Sequence, residues 1–193
     1  MSKLLIKPSD TTQVHQITPQ SASWKYVGFA VHDLAAGDTL QCQQEGRELC
    51  IVILTGSANI SVGLQSWTDV GGRESVFVDQ PPGAVYVPAG ETVDILALDG
   101  IEVAVCSAPG QGNSGSARLI DVATMSQETR GQGTNTRHVR NILPETEAAD
   151  GLLVVEVITP SGHWSSYPPH KHDRDASPEE TLLEETYYHR LNP

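Results

Sequence analysis

Residues 48–62 read ELCIVILTGSANISV, and this stretch decides the fold class. It is rich in β-branched and aliphatic residues, which favour strands, and Thr55–Gly56 in its middle is typical of a turn. We therefore predict two strands joined there as a hairpin. The residues that follow, up to position 109, continue as short β-branched runs separated by Gly, Pro and Asp. Helical periodicity is nearly absent before residue 120, so the sequence predicts an all-β barrel or sandwich.

The rest of the chain predicts a second unit of the same class. Residues 151–159, GLLVVEVIT, form a further strong strand candidate. Before it, residues 109–141 contain many small residues and several arginines, and we interpret them as a linker and an arginine-bearing loop. A G-x-G-x-x-G pattern at 110–115 lacks the strand-to-helix context of a dinucleotide site, so we assign it to the linker. The predicted domains are thus 1–108 and 142–193.

Composition excludes several classes of function. The 193 residues carry 12 basic and 24 acidic side chains, a formal charge of −12. Nucleic acid and anionic membranes both require a positive surface, so neither is an expected partner. No apolar run approaches the roughly 20 residues of a membrane-spanning helix. The three cysteines are odd in number and lack C-x-x-C spacing, which indicates free thiols in a reducing cytoplasm.

Four of the seven histidines lie within residues 161–190, namely His163, His170, His172 and His189. His170 and His172 are two positions apart, and in an extended strand such residues point to the same face. Two adjacent imidazoles can chelate a divalent metal, and a glutamate further along can add an oxygen ligand. The alternative is a polar, solvent-exposed strand end. Spacing alone does not separate these two interpretations.

The adjacent pair Glu184 and Glu185 supplies the candidate carboxylate. Residues 184–190 are predicted to form a strand, in which the two glutamates face opposite sides, so only one of them can be a ligand. On the Glu185 side the strand would also carry Tyr187 and His189. His163 follows a glycine, and a structural role at a turn is the alternative to a site role.

Arginines precede this stretch. Residues 111–140 contain four arginines and only two acidic residues. Arg137 or Arg140 could bind a substrate carboxylate, because a guanidinium group pairs with a carboxylate through two parallel hydrogen bonds. The alternative for each is an ordinary exposed surface arginine.

Residues 82–90, PGAVYVPAG, resemble the second sequence motif of the cupin superfamily. In metal-binding cupins a histidine lies three positions after the last glycine, where this chain has Val93. The first unit thus resembles a cupin barrel without metal ligands. His170-Lys171-His172 followed by Glu185 resembles the first cupin motif, with twelve residues between His172 and Glu185 instead of three or four.

Three stretches are similar to the 5-deoxy-glucuronate isomerase family of myo-inositol catabolism. They are the insertion between those ligands, RHVRNILPE at 137–145 and LLEETYYHR at 182–190. That family is related to 5-keto-4-deoxyuronate isomerase. The resemblance implies a bicupin, two β-barrel or jelly-roll domains, of which the second is incomplete in this chain. It also implies that members continue for about 70 residues past Pro193, by the usual size of such a domain. That part would carry a fourth ligand, a histidine.

The resemblance further implies a metal-dependent aldose–ketose isomerase that converts 5-deoxy-D-glucuronate to 5-dehydro-2-deoxy-D-gluconate. Its ligands would be His170, His172 and Glu185, with Zn²⁺ as the first expectation and Mn²⁺ or Fe²⁺ as alternatives. The candidate proton carriers are Glu184, Tyr187, His163 and a residue of the expected part beyond Pro193. Cupins commonly form homo-oligomers through edge strands. The alternatives are a non-catalytic sugar-binding or regulatory cupin, and a metal-dependent cupin dioxygenase.

Overall fold

The computed structural model of the chain describes residues 4–165 and 172–192. Within these residues the chain forms twelve β-strands, one four-residue α-helix and one short 3-10 helix. The predicted all-β class is confirmed. The strands are β1 Gln13–Ile17, β2 Gly28–Leu34, β3 Thr39–Cys42, β4 Arg47–Val62, β5 Gln65–Arg73, β6 Gly83–Val87, β7 Val93–Ala97, β8 Ile101–Pro109, β9 Arg118–Ile120, β10 Gln127–Arg130, β11 Arg137–Leu143 and β12 Val154–Ile158. The helices are α1 Pro19–Ala22 and the 3-10 turn Gly133–Asn135. No helix in the described part of the chain is long and apolar enough to cross a membrane.

Strand β4 belongs to both layers of the first unit. Its first half pairs with β8 and β6 in the layer ordered β1-β2-β8-β4-β6-β9. Its second half pairs with β7 and β5, and β7 in turn pairs with β3. All these pairings are antiparallel. The two layers are therefore joined covalently by one continuous strand.

The hairpin predicted at Thr55–Gly56 is wrong, because the chain passes through this point as a β-bulge. The register of β4 shifts between Ile53 and Thr55 against β8, and between Gly56 and Ser57 against β5. Gly56 has φ +72, and a Cβ atom there would come within 2.5 Å of the carbonyl oxygen of Gly100. A glycine is thus required both by the backbone conformation and by the close approach of the neighbouring chain.

The burial of β4 explains its nearly continuous apolar run. Leu49, Ile51 and Ile53 point into the core between the two layers, whereas Cys50 and Val52 point to a second apolar cluster on the other side. Successive side chains of a strand alternate faces, so residues 49–54, which are covered on both faces, are all apolar.

The second apolar cluster joins the first unit to a three-stranded antiparallel sheet ordered β10-β11-β12. Ile142 and Leu143 of β11 are buried in it, together with Leu152 and Met125. The interval 109–141, predicted as linker and loop, contributes β9, β10 and the first part of β11. The division of the chain into two domains remains a prediction.

Candidate functional site

The segment 172–192 crosses the first unit without joining a sheet, so the strand predicted at 184–190 is wrong. Side chains hold it instead. The Glu184 carboxylate accepts hydrogen bonds from the backbone N–H groups of Lys25 (2.8 Å), Tyr26 (2.7 Å) and Val27 (3.0 Å). Burial alone would raise the pKa of Glu184, but these three bonds outweigh it and lower that pKa below its ordinary value. A carboxylate held in this way is a weak base, and its contacts give it a structural role.

A second anchor lies four residues further on. The Tyr188 hydroxyl donates a hydrogen bond to the buried Glu102 carboxylate, and Arg190 forms an ion pair with the same group. The Tyr188 ring lies against His15 and Phe29, at centroid distances of 5.5 and 5.9 Å. Burial, followed by the hydrogen bond to Glu102, raises the pKa of Tyr188 to about 12. Tyr188 therefore stays protonated and fixes the segment on β1, β2 and β8.

The opposite face of this segment is open. Glu185, Tyr187 and His189 are exposed, whereas Glu184 and Tyr188 are half-buried, so the predicted alternation of faces is confirmed although no sheet forms. The Tyr187 hydroxyl donates to Glu185 Oε2 at 3.3 Å, and its ring stacks on His189 with centroids 6.0 Å apart. Burial and the adjacent Glu185 carboxylate raise the pKa of Tyr187. A carboxylate, a phenol and an imidazole are thus presented side by side.

His172 lies in a turn that contacts the start of the same segment. Its φ of +73 contradicts the extended conformation predicted for it. Its Nδ1 lies 3.0 Å from the carbonyl oxygen of Thr181, and its own carbonyl accepts from the N–H of Leu183. Because a carbonyl oxygen only accepts, Nδ1 carries the proton, and Nε2 of the neutral ring keeps a lone pair. This is the state that a metal-binding imidazole requires.

His170 lies outside the described residues. Among residues 4–165 and 172–192, no three His, Cys, Asp or Glu side chains are grouped in a way that could hold a metal ion. The ligand set His170, His172 and Glu185 therefore stays a prediction.

His163 connects two loops. Its Nδ1 lies 2.9 Å from the carbonyl oxygen of Thr136, and the N–H of the adjacent Trp164 donates to the carbonyl oxygen of Thr134. These contacts tie the turn after β12 to the 3-10 helix. The same reasoning as for His172 leaves Nε2 of His163 as the acceptor nitrogen of the neutral ring.

The arginines predicted to bind substrate differ sharply. Arg140 is buried, which contradicts the expectation of an exposed arginine, and it forms ion pairs with Glu156 (2.7 Å) and Asp79. Arg73, also buried, pairs with the other oxygen of Glu156 at 2.7 Å, and its Nη2 has no hydrogen-bond partner among the described residues. Arg137 is only half-buried and bonds through Nη1 to Asn135.

The ion pair between Arg73 and Glu156 was not predicted from the sequence. Glu156 is the one charged residue in the apolar run GLLVVEVIT. A charged residue in such a strand is seldom buried without a partner, so this position indicated an ion pair.

A second buried carboxylate was also missed. Glu48 accepts from the backbone N–H groups of Asp150 (2.8 Å), Gly151 (2.7 Å) and Leu152 (2.7 Å), and from the Tyr86 hydroxyl (2.6 Å). It fixes the loop before β12 on the first unit. Its signal was an acidic residue directly before the apolar run of β4.

The first unit carries an apolar side chain where metal-binding cupins have a histidine. Val93, at the start of β7, is fully buried in the core between the two layers. Its surroundings there are aliphatic, so this part of the barrel serves packing.

Comparisons with known proteins cover the chain almost completely. The sequence model of the KduI/IolB family matches residues 4–193. A Geobacillus kaustophilus protein named 5-deoxy-glucuronate isomerase is 51% identical over 196 residues, which span 100% of this chain and 71% of that protein. The Bacillus subtilis (strain 168) protein of the same name is 42% identical over 200 residues, spanning 100% and 73% of the two chains. The crystal structure of an IolB-like protein from Salmonella typhimurium matches with a TM-score of 0.89 and 40% identity, over 93% of this chain and 68% of that chain.

Proposed function

The chain belongs to the KduI/IolB family, and from that membership we propose that it is an aldose–ketose isomerase of inositol catabolism. The proposed reaction converts 5-deoxy-D-glucuronate to 5-dehydro-2-deoxy-D-gluconate, which moves hydrogen between C1 and C2 of the open-chain sugar acid. The observation that carries this proposal is the 51% identity, along the whole chain, to a protein named 5-deoxy-glucuronate isomerase.

We assign His170, His172 and Glu185 to a divalent metal, with Zn²⁺ preferred and Mn²⁺ or Fe²⁺ as alternatives. Two features of the described residues fit this role. The bond between His172 Nδ1 and Thr181 leaves Nε2 available, and Glu185 is exposed in the same segment. When bound, such a cation polarises a carbonyl and its neighbouring hydroxyl and stabilises enediol-like charge.

Of the candidate proton carriers, Tyr187 has the most suitable surroundings. Its hydroxyl lies on the open face beside Glu185, and its raised pKa keeps it protonated at neutral pH, so it can donate to a substrate oxygen. Glu184 points to the other side and is occupied by three backbone N–H groups. We therefore assign Glu184 to holding the segment, and His163 to a supporting role at the loop that it joins.

The substrate carboxylate is assigned to Arg137. The Arg140 guanidinium is buried and already paired with two carboxylates, so a substrate would have to displace an internal ion pair to reach it. Arg137 is half-buried, and in the part of the chain that the structure describes it bonds only to Asn135, through Nη1.

The proposal is tested by measuring metal content and isomerisation together. We expect the chain to bind about one divalent ion and to convert the aldose form of the substrate to the ketose form, followed by NMR. The His172→Ala variant should lose both properties. The exposed His138, which bonds to Thr129, provides the matched control, and His138→Ala should keep both.

Two results would overturn parts of this assignment. Stoichiometric metal in His172→Ala would contradict the ligand set. Absence of turnover by the metal-loaded protein would contradict the isomerase, and turnover that requires oxygen would indicate the dioxygenase instead.

A further inference from the structure

A cavity of about 410 Å³ lies in the first unit, next to the place where Glu184 and Tyr188 anchor the segment 172–192. It is bordered by β1, α1, β2, β3 and the turn that leads into β4. Its size lies in the range of small-molecule sites, which are commonly 300–1,000 Å³ in volume. The residues that line it are Gln13, Gln16, Ile17, Thr18, Pro19, Gln20, Gly28, Phe29, Ala30, His32, Leu40, Gln41, Cys42, Gln43, Gln44, Arg47, Val105 and Ser107.

The cavity has an apolar side and a polar side. Ala30, Leu40 and Val105 belong to or pack against the core between the two layers, so they form an apolar floor. Six glutamines are among the other lining residues. Gln44 Oε1 is bonded to Arg47 and Gln41 Nε2 to Asp94, whereas Gln13, Gln16, Gln20 and Gln43 carry amides that can donate and accept hydrogen bonds. A floor of C–H groups below a ring of amides matches a ligand with a hydrocarbon backbone and several hydroxyl groups.

Arg47 is fixed at the edge of this cavity. Its Nη2 donates to the carbonyl oxygens of Tyr26 (2.5 Å) and Ser107 (3.0 Å), and its Nε donates to Gln44 Oε1 at 3.0 Å. Gly28 allows this placement, because a Cβ atom there would lie 3.2 Å from Nη2 of Arg47. Within residues 4–165 and 172–192 the bonds of Arg47 use Nε and Nη2, which leaves Nη1 for a ligand.

The charge of the cavity is opposite to that of the chain. Among the described residues that line it, none is Asp or Glu, although the chain carries 24 acidic residues against 12 basic ones. Arg47 supplies a fixed positive charge. His32 also lines the cavity, but burial lowers its pKa, so it adds no positive charge at neutral pH. Glu184 lies close enough to stabilise the Arg47 charge, but its carboxylate is bonded to the backbone of residues 25–27. A preorganised guanidinium in a partly desolvated cavity without carboxylates favours an anion.

We propose that this cavity is a second binding site, for a small polyhydroxylated monocarboxylate of the sugar-acid type. The carboxylate binds Arg47, the hydroxyl groups bond to the glutamine amides, and the carbon chain lies on the floor of Ala30, Leu40 and Val105. Of the residues assigned to the metal or to catalysis, those that the structure describes do not line the cavity. The site therefore does not depend on the proposed isomerase activity.

The test is a titration with D-gluconate, with its neutral counterpart D-glucitol as the ligand control. Calorimetry gives the affinity, and NMR of the backbone N–H groups of Ala30, Leu40 and Val105 reports whether binding occurs in the cavity. We expect D-gluconate to shift these signals and D-glucitol to bind at least about tenfold more weakly, because the charge-assisted bond is lost.

Three variants make the result specific. Arg47→Gln should weaken D-gluconate binding by about tenfold to a hundredfold. Arg130→Gln, at an exposed arginine that pairs with Glu128, should leave binding unchanged. Ala30→Leu fills the floor while it retains every polar group, so it should abolish binding even if Arg47→Gln does not fold.

The proposal is overturned if D-gluconate leaves the cavity signals unchanged at millimolar concentration. It is also overturned if D-glucitol binds equally well, or if Ala30→Leu binds like the unmodified protein. Because the readout is binding at residues of the first unit, these outcomes are independent of whether the protein isomerises its substrate.

Discussion

Strand β4 and the segment 181–190 are both extended stretches with alternating faces, but they are held in opposite ways. β4 pairs with β5, β6, β7 and β8, so its backbone groups are bonded on both sides along much of its length. Residues 181–190 form no ladder within the described part of the chain. A few side chains hold them, chiefly Glu184, Tyr188 and Arg190.

The difference shows what an extended conformation needs in order to become rigid. A ladder distributes its stability over many bonds, and losing one of them has a small effect. A segment that depends on two or three charged anchors opens locally when one anchor is removed, without unfolding the remainder. The candidate metal and proton-transfer groups are on the second kind of segment, where they can adjust when a ligand binds.

The largest expected loss of stability comes from a substitution in β4, the strand that is held by hydrogen-bonded ladders. Ile51→Ala removes a fully buried side chain of β4 from the core and leaves a cavity. We expect the free energy of unfolding to fall by about 2–5 kcal/mol, measured by denaturant unfolding. Hydrogen exchange should accelerate throughout the first unit, and acceleration confined to β4 would contradict the cooperative ladder.

A substitution in the segment 181–190 should have a local effect. Glu184→Ala leaves the backbone N–H groups of residues 25–27 without their acceptor, and we expect a loss of about 1–3 kcal/mol. Hydrogen exchange of these three groups should accelerate, while β4 stays protected. The adjacent Glu185→Ala is the matched control and should change stability by less than about 0.5 kcal/mol, because Glu185 is exposed. Equal losses of stability from Glu184→Ala and Glu185→Ala would contradict the distinction between the anchored and the open face of this segment.

Tyr188→Phe sharpens the same distinction with a smaller change. The ring keeps its packing against His15 and Phe29. The hydroxyl's hydrogen bond to Glu102 is lost, together with the longer bond (3.4 Å) that it accepts from Arg190 Nη1. We expect a loss of about 0.5–1.5 kcal/mol, measured by thermal or denaturant unfolding. Tyr187→Phe, one residue earlier on the open face, should have almost no effect on stability.

The smallest expected effect is a pH dependence of the segment. The pKa of Glu184 is lower in the folded protein than the ordinary value of about 4.3 for a glutamate. Its contribution to stability is therefore complete above that ordinary value and is lost as the pH falls through the lower, folded pKa. Hydrogen exchange at residues 25–27, measured against pH, should follow this loss. In Glu184→Gln the dependence should be absent.

Local sequence predicted the class of structure but not the partners of its strands. The β-branched runs and Gly/Pro turns before residue 120 predict all-β structure, because this pattern suits half-buried pleated chains. The Thr55–Gly56 pair signals a positive φ correctly, yet a hairpin and a bulge make the same local demand. Only the neighbouring strands decide between them. Likewise, the alternation at 184–190 predicts which residues share a face, but an edge to pair with is a property of the whole fold.

The candidate site shows the same limit for charged groups. Arg140 is buried because Glu156 and Asp79 reach it, and Asp79 is 61 positions away in the sequence. Glu48 is satisfied by a loop more than a hundred positions away. Neither pairing could be derived from spacing. The shared face of Glu185, Tyr187 and His189 could, because alternation is local.

The passage of β4 through both layers also has a consequence for how the protein folds. Leu49 pairs with Val87 on one side and with Ser107 on the other, so β4 must wait for distant parts of the chain before its ladder is complete. Such non-local topologies fold slowly, on the order of milliseconds to seconds. During this time the run LCIVIL at 49–54 is unpaired, uncharged and free of proline. It is the segment of the first unit most prone to intermolecular pairing, and lower temperature or slower synthesis should increase the yield of folded protein.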